Sequence, residues 1–278
     1  MLTIEQALRC HPLPRLETRM LLQHVRPGLT HARMIADPDL QLTESEVAQF
    51  TQLAQRRLQG EPMAYLLGER EFYGRNFRVT PAVLIPRPET EHLVEAALQY
   101  VAAVAPMRVL DLGCGSGAIA VTLALEAPAW QVQAVDLSND AVAVSRDNAD
   151  RLGATVSFHL GSWYQPLGEQ CGFDLIVSNP PYIEKHDHHL EEGDVRFEPR
   201  MALTDEGDGL DCLRKIIAGA PARLKPGGWI MLEHGYDQGA AVRQLLRQAG
   251  LQAVATRADL AGLDRVSLGQ MPIDLLSV

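Results

Sequence analysis

The chain has 278 residues, of which 46% are hydrophobic and 22% charged, and its formal net charge at pH 7 is −10. This composition predicts a folded protein with a substantial core and two domains, and it excludes a disordered or strongly basic chain. The sequence has no long uncharged apolar run, and its first residues lack a basic segment followed by an apolar one, so we expect neither a membrane span nor a signal peptide.

The four cysteines, at positions 10, 114, 171 and 212, are scattered along the chain. Their spacing matches neither a zinc site nor a disulfide framework. Free cysteines are typical of a reducing compartment. We therefore expect a cytoplasmic protein without a resident metal.

The charge is unevenly distributed along the chain. The first 80 residues carry 10 basic and 9 acidic side chains, whereas the remainder carries 15 basic and 26 acidic ones. Proteins that bind nucleic acid usually neutralise phosphates with a positively charged surface. The acidic balance therefore favours a protein substrate and predicts no direct binding to nucleic acid.

The N-terminal residues are predicted to form helices. The segments that start at Thr3 and at Thr43 each begin with a capping box, in which the threonine is followed three residues later by glutamine or glutamate. Residues 16–25 have helical periodicity, with Leu16 on the predicted apolar side. These signals predict a helical bundle over residues 1–67.

Residues 68–88 are predicted to be a hairpin followed by a linker. Gly74-Arg75-Asn76 separates two β-prone stretches, which is a hairpin signal. Two prolines within residues 84–91 then hold the chain extended before a helix begins. This segment is either a simple linker or a lid over a ligand site.

The remaining chain alternates between strand-like and helix-like segments, which predicts an α/β fold with helices on both faces of the sheet, in a domain over residues 89–278. Strands are predicted near residues 108–112, 131–135, 155–160, 173–178, 228–233, 252–256 and 265–269. Helices are predicted near residues 117–126, 139–151, 210–224 and 237–249.

The first predicted strand of this domain runs into the glycine-rich turn Gly113-Cys114-Gly115-Ser116-Gly117, which is followed by a helix. Glycines let the backbone approach a ligand closely, and the helix start offers free N–H groups. The next strand ends in Asp136, whose carboxylate can accept hydrogen bonds from two ribose hydroxyls. The spacing also fits a dinucleotide fingerprint, so the glycines alone do not choose between that and another adenosine ligand.

The tetrapeptide Asn179-Pro180-Pro181-Tyr182 follows a buried strand and contains the groups needed to hold an amide or amino nitrogen. Proline stiffens the backbone and donates no hydrogen bond, so the Asn179 side-chain oxygen and a neighbouring carbonyl can accept both hydrogens of one NH2 group. Tyr182 offers a flat face for stacking. The structural alternative is a turn that merely ends the strand.

The ligand of a doubly wound sheet lies across the carboxyl ends of its strands, so the tetrapeptide and the glycine turn are predicted to face one crevice. A clamp for nitrogen beside an adenosine site suggests methyl transfer from S-adenosylmethionine. Hydride transfer would require an acid or base over a carbonyl, and we find none in an obvious position.

These motifs together resemble the bacterial release factor glutamine methyltransferases, class I S-adenosylmethionine-dependent enzymes that modify the glutamine of the Gly-Gly-Gln loop. The resemblance covers nearly the whole chain. It rests on the helical N-terminal domain, residues 60–62, 65–66, 70–72 and 85–91, the glycine turn, the tetrapeptide, and residues 193–199 and 233–235.

The resemblance implies a Rossmann-like seven-stranded sheet with a small N-terminal helical domain that docks the release factor. The residues implied to bind S-adenosylmethionine, which leaves as S-adenosylhomocysteine, are Gly113, Cys114, Gly115, Ser116, Gly117, Asp136, Trp163 with its neighbour Ser162, and Asn179. Those implied to bind the substrate glutamine are Asn179, Pro180, Pro181 and Tyr182, of which Asn179, Pro180 and Tyr182 are expected to be catalytic. We expect a monomer whose partners are release factors.

Two other functions share parts of the pattern. An adenine-N6 nucleic-acid methyltransferase uses the same tetrapeptide, but it needs a basic groove or a target-recognition domain. A non-catalytic cofactor-binding protein would need a blocked pocket. Trp163 is equally compatible with a core position.

The sequence assigns no function to several other segments and residues. His186-Asp187-His188-His189 has metal-ligand residue types, but we predict a solvated loop there. Residues 205–208 are predicted to be an exposed acidic loop before a helix. No chemical role follows from the sequence for Glu198 or His234.

Overall fold

The computed structural model describes residues 2–101 and 105–273. The chain divides into two compact units, Met1–Glu69 and Arg70–Val278. Within the described residues, no helix combines the length and the apolar character needed to cross a membrane.

The first unit is built from helices. These are α1 (Ile4–Cys10), α2 (Arg15–Val25), α3 (His31–Ala36), α4 (Glu44–Leu58) and α5 (Met63–Leu67). The predicted capping boxes at Thr3 and Thr43 are confirmed, with both reciprocal hydrogen bonds formed in each. An ion pair between Arg57 of α4 and Glu17 of α2, 2.9 Å apart, joins the two longest helices of this unit.

The apolar face of α2 differs from the predicted one. The helix buries Thr18, Leu21, Leu22 and Val25, which recur at the three- and four-residue spacing of a helical stripe. Leu16 lies outside this stripe and is 56% exposed, so its predicted place on the apolar side was wrong. The segment was correctly predicted to be helical, but Leu16 was wrongly assigned to its buried face.

The first residues of the second unit belong to a small two-stranded sheet, formed by β1 (Glu69–Phe72) and β2 (Arg75–Arg78). Its turn consists of Tyr73 and Gly74, which have φ values of 51° and 74°, so the predicted turn was placed one residue too late. A two-residue turn with both φ values positive matches the twist of paired strands. Phe72 and Phe77 from this hairpin are buried in the core of the second unit.

A seven-stranded sheet forms the centre of the second unit, with strand order β5-β4-β3-β6-β7-β9-β8. The strands β3 to β7 pair in parallel, and β9 runs antiparallel to both neighbours. The strands are β3 (Arg108–Leu112), β4 (Gln131–Asp136), β5 (Val156–Leu160), β6 (Phe173–Ser178), β7 (Leu224–Glu233), β8 (Gln252–Ala258) and β9 (Asp264–Gln270). The helices are α6 (Glu91–Tyr100), α7 (Ala118–Glu126), α8 (Asn139–Leu152), α9 (Asp211–Gly219) and α10 (Gly239–Gln248).

Both faces of the sheet are buried, because successive side chains along each strand point to opposite faces. On β3, Val109 belongs to a core cluster with α6 and α7, whereas Leu110 belongs to a cluster with α9 and α10. On β6, Val177 belongs to the first of these clusters and Ile176 to the second. The predicted fold class, an α/β sheet covered by helices on both faces, is confirmed.

Two predicted boundaries were wrong around the fifth strand of the large sheet. Helix α9 ends at Gly219 rather than near residue 224, and β7 begins at Leu224 rather than residue 228. Leu224 pairs with Phe173 of β6, so the strand begins before the predicted residue 228. Gly227 and Gly228 lie within β7, where its pairing with β6 shifts in register between Phe173 and Leu175.

Candidate active site

A cavity of about 420 Å³ lies at the carboxyl ends of the central parallel strands. Residues 113–116 of the glycine turn after β3, Asp136 at the end of β4, Trp163 after β5 and Asn179 after β6 all line it, whereas Gly117 does not. These four sequence motifs are separated along the chain, and parallel pairing brings their ends to one edge of the sheet. A crevice is thus present where the sequence predicted one, and residues of both motifs line it.

The glycine turn has the backbone conformation that its sequence predicts. Gly113 and Gly117 have φ values of 75° and 80°, which L side chains rarely adopt. A Cβ on Gly117 would lie 2.9 Å from the Cβ of Ser145, so glycine is also needed for α7 to pack against α8. The two residues between the glycines, Cys114 and Ser116, are buried, so they are structural as well as cavity-lining positions.

Asp136 is held in place by the backbone around it. Its carboxylate accepts hydrogen bonds from the N–H of Gly115 at 2.8 Å and from the N–H of Ser138 at 2.8 Å. Burial is the largest influence on this carboxyl and raises its pKa, while these N–H groups act in the opposite direction. Each carboxylate oxygen has further acceptor capacity, so Asp136 can still receive hydroxyl donors from the cavity.

Asp111 is a buried acid that the sequence reasoning overlooked. It lies on β3, is fully buried, and accepts a hydrogen bond from the N–H of Ala120 through Oδ2 at 3.2 Å. Its Oδ1 has no hydrogen-bond partner. Burial raises the pKa of Asp111 to about 7. The sequence signal that could have identified Asp111 is an aspartate within a predicted strand whose other central residues are apolar.

Asn179 follows β6 directly and lines the cavity. The strand is tied to β3 by the hydroxyl of Ser178, which donates to the carbonyl of Leu112 at 2.6 Å. The Asn179 Nδ2 donates to the Thr90 hydroxyl oxygen at 3.1 Å. No described residue donates to the Asn179 Oδ1, so that oxygen remains available to a ligand.

The other residues of the tetrapeptide lie in different surroundings. Pro181 lines the cavity with Asn179, whereas Pro180 and Tyr182 are not in its wall. The Tyr182 ring packs against the core cluster below α9 and α10, and its hydroxyl donates to Glu233 Oε1 at 3.4 Å. Burial is the largest cause of a raised pKa for the Tyr182 phenol, so this hydroxyl stays protonated at neutral pH.

A strap formed by residues 82–90 lies along the cavity, where Pro86, Arg87 and Thr90 are among its lining residues. The strap is held by Glu198, whose side chain is fully buried. One carboxylate oxygen of Glu198 accepts from the backbone N–H of Ile85 at 2.9 Å, and the other accepts from Arg87. Glu198 therefore has a structural role, which the sequence did not reveal because these partners are distant along the chain.

Replacing Glu198 with glutamine is expected to lower the free energy of unfolding by about 1–3 kcal/mol, because the amide cannot accept from both Ile85 and Arg87. Chemical denaturation of the E198Q variant measures this change. The matched control is E206Q, which alters the exposed pair between Arg200 and Glu206 and should leave stability unchanged. Equal stability of E198Q and the native protein would contradict the assigned role.

The acidic segment 205–208 is more ordered than the predicted exposed loop. Asp205 accepts hydrogen bonds from the backbone N–H groups of Gly207 at 2.8 Å, Gly209 at 3.1 Å and Asp211 at 2.7 Å. It thereby organises the start of α9, and it also lines the cavity. The segment is a loop before α9, as predicted, and Glu206 and Asp208 are exposed. Asp205 is only partly exposed, because its carboxylate accepts from N–H groups at the helix start.

The histidine-rich segment forms an exposed turn, His188–Glu191, that does not line the cavity. Ligand atoms of Asp187, His188 and His189 lie within 4.8 Å of one another. Asp187 accepts from the backbone N–H of His189 at 2.9 Å, which is the largest cause of a lowered pKa for this carboxyl. The segment is solvated, as its sequence predicted.

His234 lies next to the end of β7 and is buried. Its Nε2 is 2.7 Å from the Ser267 hydroxyl and its Nδ1 is 2.8 Å from the Gly235 carbonyl. Burial is the largest influence on His234 and lowers its pKa, so the ring is neutral at pH 7. These contacts give His234 a role in joining β7 to β9.

Comparisons with known proteins agree with this geometry. Residues 90–196 match the model of the methyltransferase small domain, and residues 3–68 match the PrmC N-terminal domain. The chain resembles a methyltransferase structure from Pyrococcus furiosus with a TM-score of 0.54 and 17% identity, over 80% of this chain and 100% of that one, which supports the fold alone.

Curated relatives resemble the chain along almost its whole length. A release factor glutamine methyltransferase from Bordetella pertussis is 57% identical, covering 93% of this chain and 96% of the relative. One from Neisseria gonorrhoeae is 52% identical, covering 97% of this chain and 98% of the relative. Both units and the cavity motifs fall within these matches, and the chain belongs to the release factor glutamine methyltransferase family.

Proposed function

We propose that this protein transfers a methyl group from S-adenosylmethionine to the side-chain amide nitrogen of the glutamine in the Gly-Gly-Gln motif of peptide chain release factors. The observation that carries the proposal is the position of Asn179. It lines the same cavity as the glycine turn and Asp136, and its Oδ1 is free while its Nδ2 is engaged by Thr90. A free amide oxygen at this point suits a ligand that presents N–H donors.

The residues around the cavity fit S-adenosylmethionine. Asp136 is partly buried, burial is the main cause of its raised pKa, and two ribose hydroxyls would supply donors that stabilise its ionised form. Residues 113–117 would border the methionine part, and Trp163 with Ser162 would border the adenine. When bound, S-adenosylmethionine supplies an electrophilic methyl group on a sulfonium.

The substrate amide would be held by two acceptors. Asn179 Oδ1 and the backbone carbonyl of the adjacent Pro180 would accept the two amide hydrogens, and Pro181 borders the same space. Pro180 and Tyr182 do not line the cavity, so Pro180 would take part through its backbone carbonyl alone and Tyr182 through its packing against the core. An amide nitrogen is a weak nucleophile because its lone pair is delocalised, so orientation is the main contribution of these residues. The substrate nitrogen would form a bond to the methyl carbon as the bond between that carbon and the sulfonium sulfur breaks, which leaves S-adenosylhomocysteine as a neutral thioether. The nitrogen would then lose one proton to water, and because that proton becomes acidic as the new bond forms, no strong base is needed.

The direct test is incubation of the purified protein with methyl-labelled S-adenosylmethionine and a bacterial release factor. A Gly-Gly-Ala variant of the release factor and a duplex DNA serve as parallel substrates, and mass spectrometry locates the label. Label on the glutamine, absent from the variant, supports the proposal. Label on DNA adenine would assign the clamp to a nucleic-acid substrate, and no transfer to either would favour a non-catalytic protein.

The helical unit is proposed to dock the release factor outside the Gly-Gly-Gln loop. Its own core contains Leu21, Leu22 and Phe50, so it is a folded module rather than an extension of the sheet. The domain organisation we propose is a docking bundle over residues 1–67, a hairpin and linker over 68–88, and a catalytic domain over 89–278.

Removal of residues 1–68 is expected to lower kcat/KM for intact release factor by about 10-fold or more, since docking energy of about 1.4 kcal/mol corresponds to that factor. The cut preserves Phe72 and Phe77, which belong to the core of the second unit. A short Gly-Gly-Gln peptide is the control substrate, and its kcat/KM should be the same for both proteins. Full activity of the shortened protein on intact release factor would contradict docking.

A further inference from the structure

Asn148 is a fully buried asparagine on α8, and its side-chain amide makes hydrogen bonds to two separate parts of the chain. Its Nδ2 donates to the backbone carbonyls of Arg78 and Ser116, each at 2.9 Å. Its Oδ1 accepts from the backbone N–H of Arg78 at 2.7 Å. The NH2 group thus gives both of its hydrogens to carbonyls, and the oxygen accepts a hydrogen from the same residue of β2.

These contacts are compatible with only one orientation of the Asn148 amide. A flipped amide would turn Oδ1 towards two carbonyls and NH2 towards an N–H group, so all three hydrogen bonds would be lost. Ser116 is itself buried and precedes α7, so its carbonyl would be left in the interior without this partner. Buried backbone groups without a partner are destabilising. Asn148 therefore has a fixed position between β2 and the glycine turn.

The two partners of Asn148 lead to two parts of the cavity wall. Ser116 belongs to the glycine turn and lines the cavity itself. Arg78 is the last residue of β2, and the strap follows it closely along the chain. The connection is a turn in which the Thr80 carbonyl accepts from the N–H of Val83, a strap residue that lines the cavity, at 3.1 Å. Asn148 does not line the cavity, but it joins the glycine turn to the start of the strap.

We propose that Asn148 is a positioning residue for the cofactor, which sets the spacing between the glycine turn and the strap. This inference rests on the proposed function, in which S-adenosylmethionine occupies the cavity. A ligand that contacts both segments binds more tightly when their spacing is already correct, because a preorganised site loses less free energy to ordering on binding. Cofactor affinity should therefore depend on a side chain that does not touch the cofactor.

The N148D variant of the full-length protein tests this role, because aspartate has nearly the same shape but its ionised side chain has no hydrogen to donate. It would place an oxygen against the carbonyls of Arg78 and Ser116. Calorimetry should show a dissociation constant for S-adenosylmethionine raised about 10-fold or more, since rearrangement of the site costs on the order of one hydrogen bond. At saturating cofactor, kcat for release factor should change less than about threefold, because the tetrapeptide is not altered.

Gln270 provides a matched control at the other end of the sheet. Its Nε2 donates to the carbonyl of Gly227 at 2.9 Å near the amino end of β7, and neither residue lines the cavity. Q270E likewise replaces an NH2 group that faces a carbonyl with an oxygen. Its affinity for S-adenosylmethionine should equal that of the native protein. Native affinity in N148D, or an equal loss of affinity in Q270E, would overturn the inference.

N148A separates the loss of the hydrogen bonds from the charge that N148D introduces. It should also raise the dissociation constant for S-adenosylmethionine, by about 5-fold or more, because the same three bonds are lost. Unchanged affinity in N148A would contradict the positioning role. Absence of binding to the native protein would contradict the proposed function as well, whereas native binding together with unaffected variants contradicts only the role of Asn148.

Hydrogen exchange in the native protein decides the case if both variants fail to fold. The backbone amide of Arg78 donates to Asn148, and Arg78 does not line the cavity. Adding S-adenosylmethionine should slow its exchange, measured by NMR, at least about threefold more than that of the Gly227 amide. The Gly227 amide donates to the Met271 carbonyl at 3.0 Å and is not joined to the cavity wall by Asn148. Equal slowing at the two amides would refute the coupling.

Discussion

Replacing Asn179 with alanine is expected to lower kcat for release factor methylation by about 100- to 1,000-fold, the range seen when one group is removed from a preorganised hydrogen-bonding site. The variant loses the oxygen that accepts an amide hydrogen of the substrate. The remaining Pro180 carbonyl can hold only one hydrogen, so the nitrogen can rotate away from the methyl group. The loss should appear in kcat rather than in cofactor affinity, since Asn179 is one of many residues that line the cavity.

Steady-state kinetics with methyl-labelled cofactor measures this effect, and the shift in melting temperature on adding S-adenosylmethionine reports that the cofactor site is intact. Asn76 on β2 provides the matched control, because it is exposed and does not line the cavity. N76A should have native kinetics. Native turnover by N179A would remove the basis for the nitrogen clamp.

Replacing Asp111 with asparagine is expected to flatten the dependence of stability on pH. Burial raises the pKa of Asp111 to about 7, above the usual value of about 3.9 for an unfolded chain. The folded state therefore binds more protons than the unfolded state between about pH 4 and pH 7, and stability falls as the pH rises through this window. A shift of this size corresponds to roughly 4 kcal/mol.

Denaturant unfolding of D111N and the native protein at pH 4.5 and pH 7.5, without cofactor, measures the difference. Stability should fall less with rising pH in D111N, although its buried NH2 group brings a penalty that is independent of pH. Asp136 and Glu233 also have raised pKa values, and their contributions remain in both proteins. The exposed Asp150 provides the control, since D150N should follow the native profile. Identical pH dependence in D111N and the native protein would refute the assignment to Asp111.

Local sequence patterns were sufficient for much of the fold. The capping boxes at Thr3 and Thr43, the glycine turn and the stiff Asn-Pro-Pro backbone each depend on conformational preferences of neighbouring residues. The alternation of apolar strands and helices predicted the sheet, because parallel strands need helical crossovers. The predictions failed for Leu16 and for the start of β7, because helix packing and strand pairing with residues distant along the chain decided these outcomes.

The contacts of Asp111, Thr90 and Glu198 were decided only by the tertiary structure. Thr90 and Asn179 are 89 positions apart along the chain, and Glu198 and Ile85 are 113 apart. Residue type says which hydrogen bonds a side chain can form, but not which distant partner it will meet. The sequence by itself determined the chemistry available at the strand ends. Only the packing of the strap against the end of β6 decided that the Asn179 Nδ2 meets Thr90, because these two residues are distant along the chain.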